Sequence, residues 1–210
     1  MEAYKINILS VSEVHWTDSG KIVSENKTIL FSGRQDGVHR DGVALITDKF
    51  ANSALEEWTP INERLMTARF ITSHAKVSIV PCYAPTNEHD DADKDAFYQQ
   101  LQDAVDKIPR HDILIVMGDL NAQIGGSRSG FEHVLDPHAF GNRTDNGDRF
   151  TQFCAMNSMK IGSSLFDHKN IYKITWTSND HTTKTQIEHI SIGTSWKNAM
   201  STRRASVSRG

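Results

Sequence analysis

The stretch ILIVMGDLNAQIG, residues 113–125, most constrains what this chain can fold into. Five consecutive apolar residues, Ile113 to Met117, run into Gly118 and then Asp119-Leu120-Asn121. A short run that is apolar on both faces is a strand packed on each side, and the glycine after it permits close backbone approach. An acid and an amide are costly to bury without partners, and strand ends are where sites are built. If the chain stays extended past Gly118, Asp119 and Asn121 point to one side, where a carboxylate can handle a proton and an amide can hold a polar oxygen. The same residues also suit an Asx turn that closes the strand.

Runs rich in Ile, Val, Phe and Thr recur at residues 6–12, 28–31, 43–47, 64–72, 77–83, 172–177 and 186–192, and predict further strands. Phe97, Leu101, Val105 and Ile108 form a helical stripe after the acidic stretch Asp90 to Asp95, and Pro109 ends it. A second helix is expected after Asn146-Gly147-Asp148, with Phe150, Phe153, Cys154 and Asn157 at helical spacing. Many strands with few helices point to a layered α+β architecture and not to strict βα alternation.

The chain has 210 residues, 38% of them hydrophobic, which suits one domain with a sizeable core. Its net charge of −3 argues against indiscriminate binding of polyanions and leaves room for a local basic stripe. Cys82 and Cys154 are the only cysteines, both in apolar surroundings, and read as buried free thiols of a reducing, intracellular compartment, the nucleus included. No run approaches the roughly 20 apolar residues of a membrane span. The opening MEAYKINILS lacks the profile of a signal peptide. The oligomeric state is not legible.

Three further positions can carry chemistry. Glu13 follows the run ILSVS and is either solvated or a ligand for a hard cation such as magnesium, which needs few protein ligands because water and substrate phosphate complete its shell. Tyr83, in VPCYAPTN, is either a core-edge ring with a wet tip or a positioned hydroxyl. Trp176, in KITWTSND, is either a core anchor or an aromatic that touches a nucleotide. Glu188 and His189 are strand neighbours and point to opposite faces, so only one of them can face a pocket.

In this order, Glu13 after its strand, YAPT at Tyr83, an amphipathic helix, GDLNAQIG, NGDRFTQFC, TWTS and QIEHI resemble the endonuclease/exonuclease/phosphatase superfamily. The resemblance runs from about Tyr4 to Arg209 and is closest to the apurinic-type endonuclease domain of non-LTR retrotransposons. It implies a four-layer αββα sandwich, two packed mixed sheets flanked by helices, and hydrolysis of phosphodiesters or phosphomonoesters with Mg2+, or with Mn2+ in its place. It further implies that Glu13 binds the metal, Tyr83 orients the scissile phosphate or leaving group, and Asp119 manages a proton. Asn121 would hold the phosphate or the attacking water, and Trp176 would support a DNA-facing surface.

Against that family, the first strand and the closing Ser-Asp-His strand are expected to be missing. The domain is therefore read as a single truncated one over residues 1–210, lacking the family's catalytic histidine. Glu188 stands where the family has an aspartate that orients this histidine. His168, His181 and His189 are poor substitutes, so impaired turnover is expected: loss of a general base typically costs about 10² to 10⁴ in rate. The principal reading is a truncated Mg2+-dependent DNA endonuclease of retrotransposon origin. The alternatives are a non-catalytic remnant that binds nucleic acid or protein, and a phosphatase of the same superfamily. Arg203, Arg204 and Arg209 are more readily a solvated end than a phosphate-binding stripe.

Overall fold

The structure, a computed structural model, describes residues 1–200; the arginines of the 201–210 tail lie outside the described residues. The backbone falls into two compact units, one of residues 1–84 with 95–118, the other of residues 85–94 with 119 onward.

In the first unit, β1 (Ile8–Ser12), β4 (Val43–Asp48), β3 (Lys27–Ser32) and β2 (Ser19–Ser24) lie in that order in an antiparallel sheet. β5 (Leu55–Asn62), β6 (Leu65–Ile71), β7 (Lys76–Tyr83) and β8 (Ile113–Asp119) follow one another in a second layer. Alternation decides the packing: Leu30, Val43 and Leu45 from the first layer share one core cluster with Met66, Ala68, Phe70 and Ile79 from the second. A short helix α1 (Lys49–Ser53) is started by Asp48, whose Oδ1 accepts the Ala51 N–H at 2.8 Å, a cap worth about 1 kcal/mol.

Where β8 begins, the carboxylate of Asp112 is fully buried. It accepts from Arg69 Nε at 2.6 Å, Arg69 Nη2 at 3.1 Å and Ser78 Oγ at 2.8 Å, so β6 and β7 are tied to the entry of β8. The guanidinium beside it holds this carboxyl below the usual carboxylate range.

Helix α2 (Asp91–Asp106) has the expected stripe, with Phe97, Leu101 and Val105 buried. In the second unit, α3 (Asp145–Met156) starts earlier than the sequence suggests. Thr144 caps it by accepting the Gly147 N–H at 3.2 Å, which puts Asn146-Gly147-Asp148 inside the first turn. Phe150, Phe153 and Cys154 are buried as the spacing predicts. β9 (Met159–Ile161) pairs antiparallel with β12 (Glu188–Gly193), while β10 (Trp176–Thr177) and β11 (Lys184–Thr185) form a small hairpin. The expected strand at 172–177 shrinks to β10, because residues 170–172 form a turn of 3-10 helix.

These elements make an α+β fold with few helices. Both cysteines are free and buried. Among the described residues, no helix is long and apolar enough to cross a membrane.

Candidate active site

Glu13 stands just beyond the end of β1 with φ 55°, a left-handed conformation that a non-glycine residue adopts only when its surroundings impose it. Here the chain after it is gripped from behind: Val14 N–H donates to the Gly42 carbonyl at 3.3 Å and His15 N–H to the Asp41 carbonyl at 2.9 Å. The Glu13 side chain is exposed, yet its Oε1 accepts the Tyr83 hydroxyl at 2.5 Å, a charge-assisted contact between residues 70 apart in sequence. Tyr83 itself is only 7% exposed at the end of β7, so the ring belongs to the core while the hydroxyl reaches Glu13. The guanidinium carbon of Arg64 lies 5.1 Å from the centre of the Tyr83 ring. Sequence reasoning missed Arg64 and its partner Asp41, because a single sequence does not mark which surface-type charges are buried.

Gly118 explains why a glycine precedes the acid. With φ 144°, a Cβ at this position would lie 2.0 Å from the carbonyl oxygen of Cys82 on β7, so no other residue fits without moving the backbone.

In the second unit, the chain does not stay extended after Asp119. Asn121 has φ 47°, and its N–H donates to Asp119 Oδ1 at 2.8 Å, which is the Asx turn. Both side chains are half-buried.

The backbone around them is held group by group. Leu120 N–H donates to the Ile187 carbonyl at 3.0 Å. The Asn121 carbonyl accepts from Asn146 Nδ2 at 3.2 Å, the Ala122 carbonyl from His189 Nε2 at 2.7 Å, and the Gln123 carbonyl from Thr144 N–H at 3.1 Å. Asn146 is fully buried and also donates to the Pro85 carbonyl at 2.9 Å. Gly147 lets α3 come this close, since a Cβ there would meet the Gln123 oxygen at 1.8 Å. Asn146 was not singled out from the sequence, although the Asn-Gly pair at a helix start was the available signal.

Glu188 and His189 do face opposite ways, Glu188 exposed and His189 buried. A carbonyl cannot donate, so His189 Nε2 carries the proton shared with Ala122, and Nδ1 accepts from Ser163 Oγ at 2.8 Å. Burial pushes this imidazole down to about 4, so it is neutral at pH 7 and serves as a backbone clamp. Crowding by protein raises the Glu188 carboxyl above its ordinary value, although its edge is open to solvent. Trp176 is 45% exposed on the β10–β11 hairpin, so it is no core anchor. His181 lies exposed in the loop of that hairpin.

The chain is 30% identical over 200 residues to craniofacial development protein 2 of Bos taurus, covering 95% of this chain and 33% of that protein. It is 29% identical to the same protein of Tragulus javanicus. The chain thus spans about a third of the length of the curated relatives it matches. Its backbone superimposes on the catalytic domain of Xenopus laevis APE2 with a TM-score of 0.65 at 14% identity, covering 94% of this chain and 77% of the other. With the endonuclease domain of TRAS1, a telomere-specific non-LTR retrotransposon, the TM-score is 0.60 at 13% identity over 91% and 75%. No protein-family model matches the chain.

The chain has the fold of the endonuclease/exonuclease/phosphatase superfamily. Known structures with this fold include DNA endonucleases and TDP2, one of them, from D. rerio, solved with a single-stranded DNA product. Among the described residues, no three His, Cys, Asp or Glu side chains converge as a cage. The donors around Glu13 are a carboxylate and a phenol oxygen, a set that suits a hard cation completing its shell with water and phosphate.

Proposed function

We propose that this chain is a magnesium-dependent DNA endonuclease domain of retroelement type. The observation that carries the reading is the contact between Tyr83 and Glu13, two residues from distant parts of the sequence that the family resemblance assigns to one reaction. When bound, the cation supplies positive charge against the phosphate. The chain's residues do the rest: Glu13 holds the cation and Tyr83 orients the phosphate or its leaving group. Asp119 takes or gives a proton on the attacking or departing oxygen, and Asn121 holds the phosphate or the nucleophilic water through its amide. An anionic phosphate repels hydroxide, so donors that are fixed before reaction favour the transition state over bulk solvent. Glu188 takes the place of the aspartate that orients the family's histidine, and Trp176 faces the DNA.

Wild-type protein is expected to nick supercoiled plasmid in Mg2+, and to stop when EDTA or Asp119→Ala is introduced. A plasmid left intact at high protein concentration would remove the hydrolytic reading.

A second reading, a nucleic-acid-binding module without efficient turnover, is favoured by His189. That side chain is buried and committed to Ala122 and Ser163, so it does not stand in for the family's catalytic histidine. A DNA mobility shift without nicking is the signature of this second case.

A further inference from the structure

We propose that Arg64 and Asp41 are positioning residues that act through Tyr83 on Glu13; this rests on the hydrolytic reading above. The two charges close a ring of contacts around the site. Asp41 is 6% exposed and sits at φ 60°, and its carbonyl holds the His15 N–H just past Glu13. Its Oδ1 accepts from Arg64 Nη2 at 3.2 Å. Arg64 Nη1 donates to the Tyr83 carbonyl at 3.4 Å, its guanidinium carbon lies 5.1 Å from the ring centre, and its own carbonyl accepts the Tyr83 N–H at 2.9 Å. Tyr83 then returns to Glu13 through its hydroxyl.

Arg69, five residues further along on β6, shows what a purely structural pair looks like. Arg69 places two nitrogens of its fork on the single carboxylate of Asp112, the geometry that gains most from one ion pair. Arg64 divides its fork between a carboxylate and a carbonyl and lays its face on an aromatic ring. It therefore fixes where the ring stands in relation to the loop that carries Glu13. A deviation of about 1 Å at such a place is enough to cost on the order of 10² in rate.

The test compares Arg64→Gln, Arg64→Lys, Asp41→Asn, Tyr83→Phe and the double variant Arg64→Gln/Tyr83→Phe in the intact chain. Plasmid nicking is measured alongside Mn2+ affinity, read by electron paramagnetic resonance without DNA. Arg64→Gln is expected to lower kcat by about 10- to 100-fold with KM for DNA within threefold, and to weaken Mn2+ binding. Lysine keeps the charge but not the fork, so Arg64→Lys recovers part of the loss. In the Tyr83→Phe background, Arg64→Gln adds less than threefold, because its effect runs through the hydroxyl that is already gone. Arg40→Ala, which removes a 68% exposed partner of Asp41, serves as the control near wild type.

Multiplicative losses in the double variant, or wild-type kcat and Mn2+ affinity in Arg64→Gln, overturn the inference while leaving the hydrolytic reading intact. A wild-type protein that neither nicks nor binds Mn2+ overturns both. If a variant fails to fold, as shown by circular dichroism, Arg64→Lys and Asp41→Asn carry the same comparison.

Discussion

In the first unit the candidate side chains hold one another: Tyr83 bonds Glu13, Arg64 covers Tyr83, and Asp41 secures both Arg64 and the loop after Glu13. In the second unit the Asp119 carboxylate closes a turn of its own backbone, and the surroundings grip the backbone that carries Asp119 and Asn121. Asp119 accepts the Asn121 N–H, while Asn146, His189 and Thr144 hold three successive carbonyls. The difference teaches that a site can be fixed from either end of the side chain. A mutual side-chain network is sensitive to single charge changes. A clamped backbone is sensitive to changes that let the main chain move.

The comparison can be tested from its strongest arm to its weakest. Asp119→Ala removes the group at the centre of the second arrangement and is expected to lower nicking by about 10² to 10⁴, with a melting temperature close to wild type. A plasmid assay with a thermal melt checks both halves of that statement. Next come the glycines that allow close approach in each unit. Gly118→Ala meets the Cys82 oxygen and Gly147→Ala the Gln123 oxygen, and each is expected to destabilise by about 3 kcal/mol or more. Denaturant titration measures this; a change under about 0.5 kcal/mol in either variant would show that the backbone there yields.

The His189 clamp gives a pH signature. Its folded value of about 4 lies below the ordinary 6.5, so the folded state binds fewer protons than the unfolded one in between. The corresponding stability is fully present above pH 6.5, is lost as pH falls towards 4, and amounts to roughly 3 kcal/mol. Melting curves across that window should steepen this way in wild type and flatten in His189→Gln. The smallest effect expected is that of Trp176→Ala, which should weaken binding of a single-stranded oligonucleotide by about 1–3 kcal/mol and change stability by less than about 0.5 kcal/mol.

Much of the fold was legible because burial writes itself into the sequence. The apolar runs that became β1, β3, β4, β6, β7, β8 and β12 were visible, as was the stripe of α2. β2 and β5 were not: SGKIVS is nearly all exposed and LEEWTPIN carries Glu56, Glu57 and Pro60, so backbone pairing rather than side-chain burial makes them strands. The strand read at 172–177 shrank to β10 for a related reason, since Tyr172 and Trp176 are exposed and give a sheet little to bury. The candidate residues Glu13, Tyr83, Asp119 and Asn121 could be picked out by their places at strand ends. Their partners could not, because a contact such as Tyr83 to Glu13 depends on the closure of a 70-residue separation.

The two buried thiols have a practical consequence. Cys82 lies in the first unit and Cys154 in the second, and both are sealed from solvent, with burial pushing the Cys154 thiol well above its ordinary value. An alkylating reagent can reach either one only when its own region opens. Peptide-resolved labelling rates would therefore time the breathing of each half separately, with reporters the natural chain already carries.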